Sequence, residues 1–180
     1  DPDPAGIVAP SKARDAVLDE EDHLLLVFDT FMDGRSGYAF AVNPSGARFD
    51  GLVTARGEDV NSNWDTIWEA RTSRDSTGWY AEIRISAKSL GFKDEATSWG
   101  FNVQRHVPRL QETSRWSGAA RDYDVYQTSH AGILADLPGF DVGAGLSIRP
   151  ALVGRATKPS AGERTESDGD ISLDVSKTLG

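Results

Sequence analysis

The sequence predicts an all-β protein, an antiparallel β-sandwich of jelly-roll type. Three observations carry that prediction. Short runs of alternating apolar and polar residues recur along the 180 residues, and alternation of period two is the mark of a half-buried strand. Clusters of Gly, Pro, Asn and Ser separate these runs and read as turns. Almost no stretch keeps the 3.6-residue period of an amphipathic helix. Evenly spaced strands with so little helix close into sandwiches or jelly rolls.

The elements follow in order. Residues 1–14 read as loop, because Pro2, Pro4 and Pro10 together with Gly6 interrupt any regular element. Residues 14–21 are expected to form one helical turn, with Asp15 as its N-cap. Residues 23–30 (HLLLVFDT) are nearly continuous in apolar side chains, which predicts a central strand covered on both faces. After the loop DGRSG, residues 37–42 and 47–53 form a hairpin about Asn43-Pro44-Ser45-Gly46; Pro at the second turn position and Gly at the fourth suit a type I turn. Residues 64–73 and 78–86 form the next hairpin, with Trp79, Ala81, Ile83 and Ile85 on one face and Tyr80, Glu82 and Arg84 on the other. Residues 86–92 predict a short helical turn capped by Ser86 and ended by Gly91. Residues 99–107 alternate again, placing Trp99, Phe101, Val103 and Arg105 on one face.

The composition shifts after about residue 127, which divides the chain into a sandwich over 1–128 and a Gly-rich β extension over 129–180. Within the extension, 132–155 reads as a pair of short strands, 158–170 as a polar mobile loop, and Ile171, Leu173 and Val175 alternate with polar residues. The opening DPDPAG, without an initiator Met, predicts a fragment of a longer protein.

Charge and residue usage exclude several functions. A net charge of −9 gives no basic footprint for a nucleic-acid backbone or an anionic membrane surface. The absence of cysteine removes disulfides, thiolate zinc sites and Cys nucleophiles. No apolar run reaches the length of a transmembrane helix. His23, His106 and His130 are scattered singly, which argues against zinc. No G-x-S-x-G, P-loop or G-x-G-x-x-G occurs, and no pair of carboxylates stands out as a glycosidase pair.

Several segments, taken in order, point to a family: DTFMDGRSGYAFAVNPSG (29–46), WDTIWEA (64–70), GWYAEIRIS (78–86), SLGF (89–92), WGFNVQRHVPR (99–109) and ETSRW (112–116). Together they resemble the family 9 carbohydrate-binding-module-like domain, in the version fused to an outer-membrane β-barrel of the DUF5916 type. The resemblance covers roughly residues 15–135. It departs at Ser86-Ala87, where the family usually has Pro-Phe, and at Gly91, where it usually has Arg. It implies non-catalytic carbohydrate binding at the periplasmic or outer-membrane face of the cell envelope, anchoring glycan near a barrel or enzyme in carbohydrate catabolism. It also implies that the barrel region begins within 129–180. Two other readings stand beside it: a structural or protein-interaction domain of an outer-membrane barrel with no sugar site, and a glycoside hydrolase.

Carbohydrate sites combine a flat aromatic ring, on which a sugar's C–H face packs, with a few fixed polar groups. Five Trp are available. Trp79 and Trp99 lie on apolar faces and read as core. Trp64 and Trp68 share a face of the W-D-x-x-W segment, and Trp116 follows a polar stretch at a strand end. The candidates for sugar binding are therefore Trp116, Trp64 and Trp68 for stacking, with Arg35, Asn43 and Asp50 for hydrogen bonding. Arg105 and Glu112 also lie at strand ends, and a buried Arg105 would need a carboxylate such as Asp50, Glu69 or Glu82. Asp29, Asp33 and Asp50, with loop carbonyls, are candidate oxygen ligands for a structural calcium.

Overall fold

The computed structural model describes residues 4–140, 146–157 and 166–177. The chain divides into two compact units, residues 1–140 and 141–180.

The first unit is built on one antiparallel sheet. Its strands are β1 (His23–Asp29), β2 (Gly37–Val42), β3 (Arg48–Thr54) and β4 (Asp59–Asn61). A separate hairpin follows, β5 (Trp68–Asp75) with β6 (Gly78–Ile85). Then β7 (Trp99–Val107), β8 (Glu112–Arg115) and β9 (Gly132–Leu134) rejoin the large sheet. Its order is β4-β3-β2-β1-β7-β8, with β9 pairing β7 alongside. β1 is the central strand expected from its apolar run, lying between β2 and β7.

The register sorts the side chains into two faces, because alternate residues point to opposite sides. Leu26 stands opposite Phe40 and Val103, and Phe40 stands opposite Asp50. That row defines the face on which the β5–β6 hairpin lies. Phe40, Trp68, Leu90 and Trp99 form its buried cluster, with Ile83 and Ile85 of β6 packed against it. The antiparallel sheets packed on each other make the predicted β-sandwich. On the opposite face, Leu25, Val27, Ala39, Ala41 and Val53 are covered by loop residues, among them Leu18 and Val125. The core is therefore two-sided, and full burial of Phe40 makes its truncation to Ala cost about 3–5 kcal/mol.

The hairpins follow from their turns. In Asn43–Gly46, the Gly46 N–H donates to the Asn43 carbonyl at 3.1 Å, and Gly46 adopts φ +85°, a conformation natural to glycine. At the β5–β6 turn, Asp75 accepts from the Thr77 N–H and hydroxyl, both at 2.7 Å. Outward, Glu69 pairs across from Arg84 and Arg71 from Glu82, an alternation of charge suited to a solvated face.

Three local expectations are corrected. Residues 14–21 hold no helix: Asp15 has φ +57°, and its N–H donates to the Arg48 carbonyl at 2.7 Å, so the segment docks on β3. The turn after Ser86 is a 3-10 helix over Ala87–Ser89 only. The Gly132–Leu134 segment pairs with β7 of the large sheet, not with the strand that follows it.

In the second unit, β10 (Leu146–Thr157) and β11 (Glu166–Lys177) pair antiparallel, from Leu146 opposite Lys177 to Thr157 opposite Glu166. The strand β11 thus begins inside the expected loop over 158–170, the rest of which lies outside the described residues, as does the Gly-rich turn at 141–145. No helix among the described residues is long and apolar enough to cross a membrane.

Candidate functional site

Trp116 is the one Trp whose ring faces solvent for most of its area, at 57% exposure. Its position follows from the chain around it. β8 pairs with residues 104–107 of β7, and β9 with residues 99–101. Between them the backbone crosses at Trp116, whose N–H donates to the Val103 carbonyl at 3.0 Å. Buried Asn102 fixes the next residue, donating to the Ser117 carbonyl at 3.0 Å and accepting the Ser117 N–H at 3.2 Å. On the other side, Arg115 donates to Gln104, to the Gly118 carbonyl and to the Tyr123 carbonyl. The indole then lies over Phe101, with ring centroids 5.8 Å apart, and over Gly132. A Cβ on residue 132 would fall 2.5 Å from the ring, so only glycine lets the indole settle there.

Phe101 lies on the same sheet face as Val103 and Arg105, so Trp116 shares that face too. Arg105 stands opposite Ser114, two residues before Trp116. Diagonal neighbours of that kind are about 7–8 Å apart, within reach of long side chains. Arg105 also lines an open depression of about 290 Å³ together with Leu24, Thr77, Trp79 and Tyr80. Tyr80 is 52% exposed, and its hydroxyl lies 2.8 Å from that of Thr77. This face therefore offers an exposed indole and a guanidinium diagonal to it, while Tyr80, on the outward face of β6, borders the depression that Arg105 lines. Rings of that kind stack on the C–H faces of sugars, and guanidinium and hydroxyl groups bond hydroxyls.

The other sequence candidates lie elsewhere. Trp68 is buried against Phe40, and its indole N–H donates to Asp50 at 3.0 Å. Trp64 packs on Tyr38, with centroids 5.0 Å apart, and on Phe40. Both belong to the core because the W-D-x-x-W segment runs over the sheet rather than along its rim.

Asn43 and Asp50, expected to meet ligand, are fully buried. The Asn43 amide donates to Glu21 at 2.7 Å and to the Ser11 carbonyl at 2.9 Å, and its oxygen accepts the Ser45 and Ala47 N–H groups. Asp50 accepts from Arg14 at 2.8 Å, from the Thr66 N–H at 2.8 Å and from Trp68. Arg14 also pairs with Asp65. Asp50 is thus committed to Arg14 rather than to Arg105. Glu112 accepts from the Ser114 hydroxyl at 2.8 Å.

Arg35 is exposed in the β1–β2 loop, beyond Asp29. That loop is held by its own carboxylates. Asp29 accepts the Asp33 and Gly34 N–H groups, and Asp33 accepts those of Arg35 and Ser36. Burial acts upward on Asp33, but the bonds from Ser36 and Arg35 outweigh it and hold its carboxyl below the usual range.

The three proposed calcium ligands do not come together. Asp50 lies on the face of Leu26 and Phe40, whereas Asp29 alternates with Phe28 onto the other. Among the described residues, no three His, Cys, Asp or Glu side chains gather in a metal-binding group. The donors also point the wrong way for a cation, since N–H groups already occupy the oxygens of Asp29.

Tyr80, Asn102 and Gly132 were not among the sequence candidates. Asn102 carried no signal, because alternation sets it with Gly100 and Gln104, opposite the apolar face of Trp99, Phe101 and Val103. Gly132 carried none, because its partner Trp116 reaches it only through the sheet.

No family model, curated protein or solved structure matches the chain.

Proposed function

We propose that the first unit binds carbohydrate without cleaving it, at the cell envelope, and holds glycan close to an associated barrel or enzyme. The observation that carries this reading is the exposed indole of Trp116, fixed over Gly132 and diagonal to Arg105. An exposed aromatic held rigid from below meets a ligand with little loss of conformational freedom. Its surroundings are open and polar-rimmed, which suits a hydroxylated ligand better than a buried apolar one. The domain resemblance noted in the sequence points the same way, including the expectation of a barrel region in 129–180.

The test is a glycan-array screen of the 180-residue chain, followed by titration of the strongest glycan. Binding that disappears in Trp116→Ala and weakens in Arg105→Gln supports the reading. Absence of any glycan signal from a folded, monomeric sample sinks it.

A second reading has one observation in its favour. Trp64, Trp68 and Trp99 all lie in the core cluster or against it, as expected of a structural or interaction domain that has no sugar site. In that case the Trp116 face would contact protein. Cross-linking from residue 116 to a protein partner, with no glycan captured, would favour it.

A further inference from the structure

The pairing of β1 with β7 brings together two histidines that stand far apart in the chain. His23 opens β1 and lies directly opposite His106 of β7, so both side chains leave the sheet on one face. Their ring centroids are 5.4 Å apart, with the planes tilted by 37°. That face is the one of Leu25 and Val27, opposite to the face of Arg105 and Trp116.

In each ring one nitrogen is already held. Nδ1 of His23 lies 2.9 Å from the Glu21 carbonyl, and the Leu18 carbonyl is also beside the ring. Nδ1 of His106 lies 2.9 Å from the hydroxyl of Thr113, which stands opposite His106 on β8. The two nitrogens of an imidazole point to nearly opposite sides, so Nε2 of His106 turns away from β8, toward β1 and His23. Neither Nε2 makes a hydrogen bond, and neither is among the buried polar atoms left without a partner, so both meet solvent. His106 is itself partly exposed, which leaves an ion a way in.

A ring held at one nitrogen and open at the other is the arrangement of a metal-ligating histidine, whose second nitrogen bonds a carbonyl or another oxygen and fixes the ring. The spacing agrees. Two imidazoles on one tetrahedral ion, with metal–nitrogen bonds of about 2.0–2.1 Å, have centroids roughly 5 Å apart. Burial favours the neutral His23 ring, the form that ligates, and Asp19 is near enough to add negative charge.

We propose that His23 and His106 bind one divalent transition-metal ion, of the zinc or copper class, through their Nε2 atoms, with water in the remaining positions. Among the described residues no third His, Cys, Asp or Glu joins them, so the site is a two-histidine clip between β1 and β7 rather than a closed structural centre. Imidazole suits zinc and copper, whereas calcium and magnesium take oxygen ligands. The site stands whether or not the Trp116 face binds sugar.

The experiment titrates zinc chloride into the untagged, ¹⁵N-labelled chain near neutral pH and follows the imidazole nitrogens of the three His. The expected result is one saturable site, at which the Nε2 signals of His23 and His106 shift together while those of His130 stay still. Calcium chloride should move neither ring. His106→Gln is expected to weaken zinc binding by about tenfold or more, since even the outer partners of a ligand are worth about 10–100-fold. His23→Gln should do the same, and His106→Gln decides alone if the variant at buried His23 does not fold. His130→Gln should bind zinc as the native chain does. No saturable shift, movement of one ring alone, an equal shift with calcium, or unchanged zinc affinity in His106→Gln would each overturn the proposal and leave the pair as packed rings only.

Discussion

Trp116 keeps more than half of its surface in water while Asn102 and Arg115 hold the backbone on either side of it. Truncation there removes a ring without opening the core, so Trp116→Ala is expected to cost below about 1 kcal/mol of stability. Asp50 is the opposite case. It is fully buried and receives Arg14, Thr66 and Trp68. Asp50→Ala leaves those donors unmatched and is expected to lower stability by about 3 kcal/mol, read from the urea midpoint. His23 is buried, with Nδ1 2.9 Å from the Glu21 carbonyl and its ring 5.4 Å from that of His106. Burial, and secondarily the charge of His106, lowers its pKa below 6.5, against the upward pull of Glu21 and Asp19. The unfolded chain therefore takes up the proton first. Stability is full above pH 6.5 and falls as pH drops toward the lowered value. The urea midpoint should decrease between pH 7.5 and 5.5, and His23→Gln should flatten that slope; an unchanged midpoint in the native chain would contradict the assignment. At this scale the sequence was a partial guide. Exposure of Trp116 was legible from its place after a polar stretch at a strand end. The burial of Asn43 and Asp50 was not, because their partners Glu21, Ser11 and Arg14 are 22 to 36 residues away.

Among the elements, the strands were the most legible part. Alternation in 78–86 separates Trp79, Ile83 and Ile85 from Tyr80, Glu82 and Arg84, as the half-buried and exposed faces of β6 now show. The turn at Asn43–Gly46 was equally legible, since Pro and Gly leave the chain few conformations. The helical turn expected at 14–21 was not formed, because Asp15 bonds to β3 and the local propensity was overruled by a tertiary contact. The same docking makes the 8–22 segment dependent on Asn43. Its amide joins Ser11 and Glu21 to the β2–β3 turn. Asn43→Ala should thus loosen both ends at once, lowering stability by about 2 kcal/mol. Hydrogen exchange should show lost protection at Ala47, whose N–H it accepts. Retained protection would place the strength of the turn elsewhere.

At the scale of the whole molecule, a seven-stranded sheet is covered on one face by a hairpin and on the other by loops. A two-stranded hairpin spans only part of a sheet this wide. That difference in width places Phe101, Val103, Arg105 and Trp116, all partly exposed, on the same face as the hairpin. The candidate site thus follows from topology, which a linear reading of motifs does not supply. Because Asp29, Asp33 and Asp50 do not assemble and each Asp29 oxygen already accepts an N–H, a calcium chelator should leave the melting temperature and any glycan binding unchanged. A fall in either would reveal a cation that these carboxylates do not explain. The most direct measurement is calorimetric titration of the best array glycan into the native chain and into Trp116→Ala, with melting curves for both. The account predicts measurable binding to the native chain, none to the variant, and nearly coincident melting. Equal binding by the two proteins, at equal stability, would contradict the assignment of Trp116 as the sugar platform.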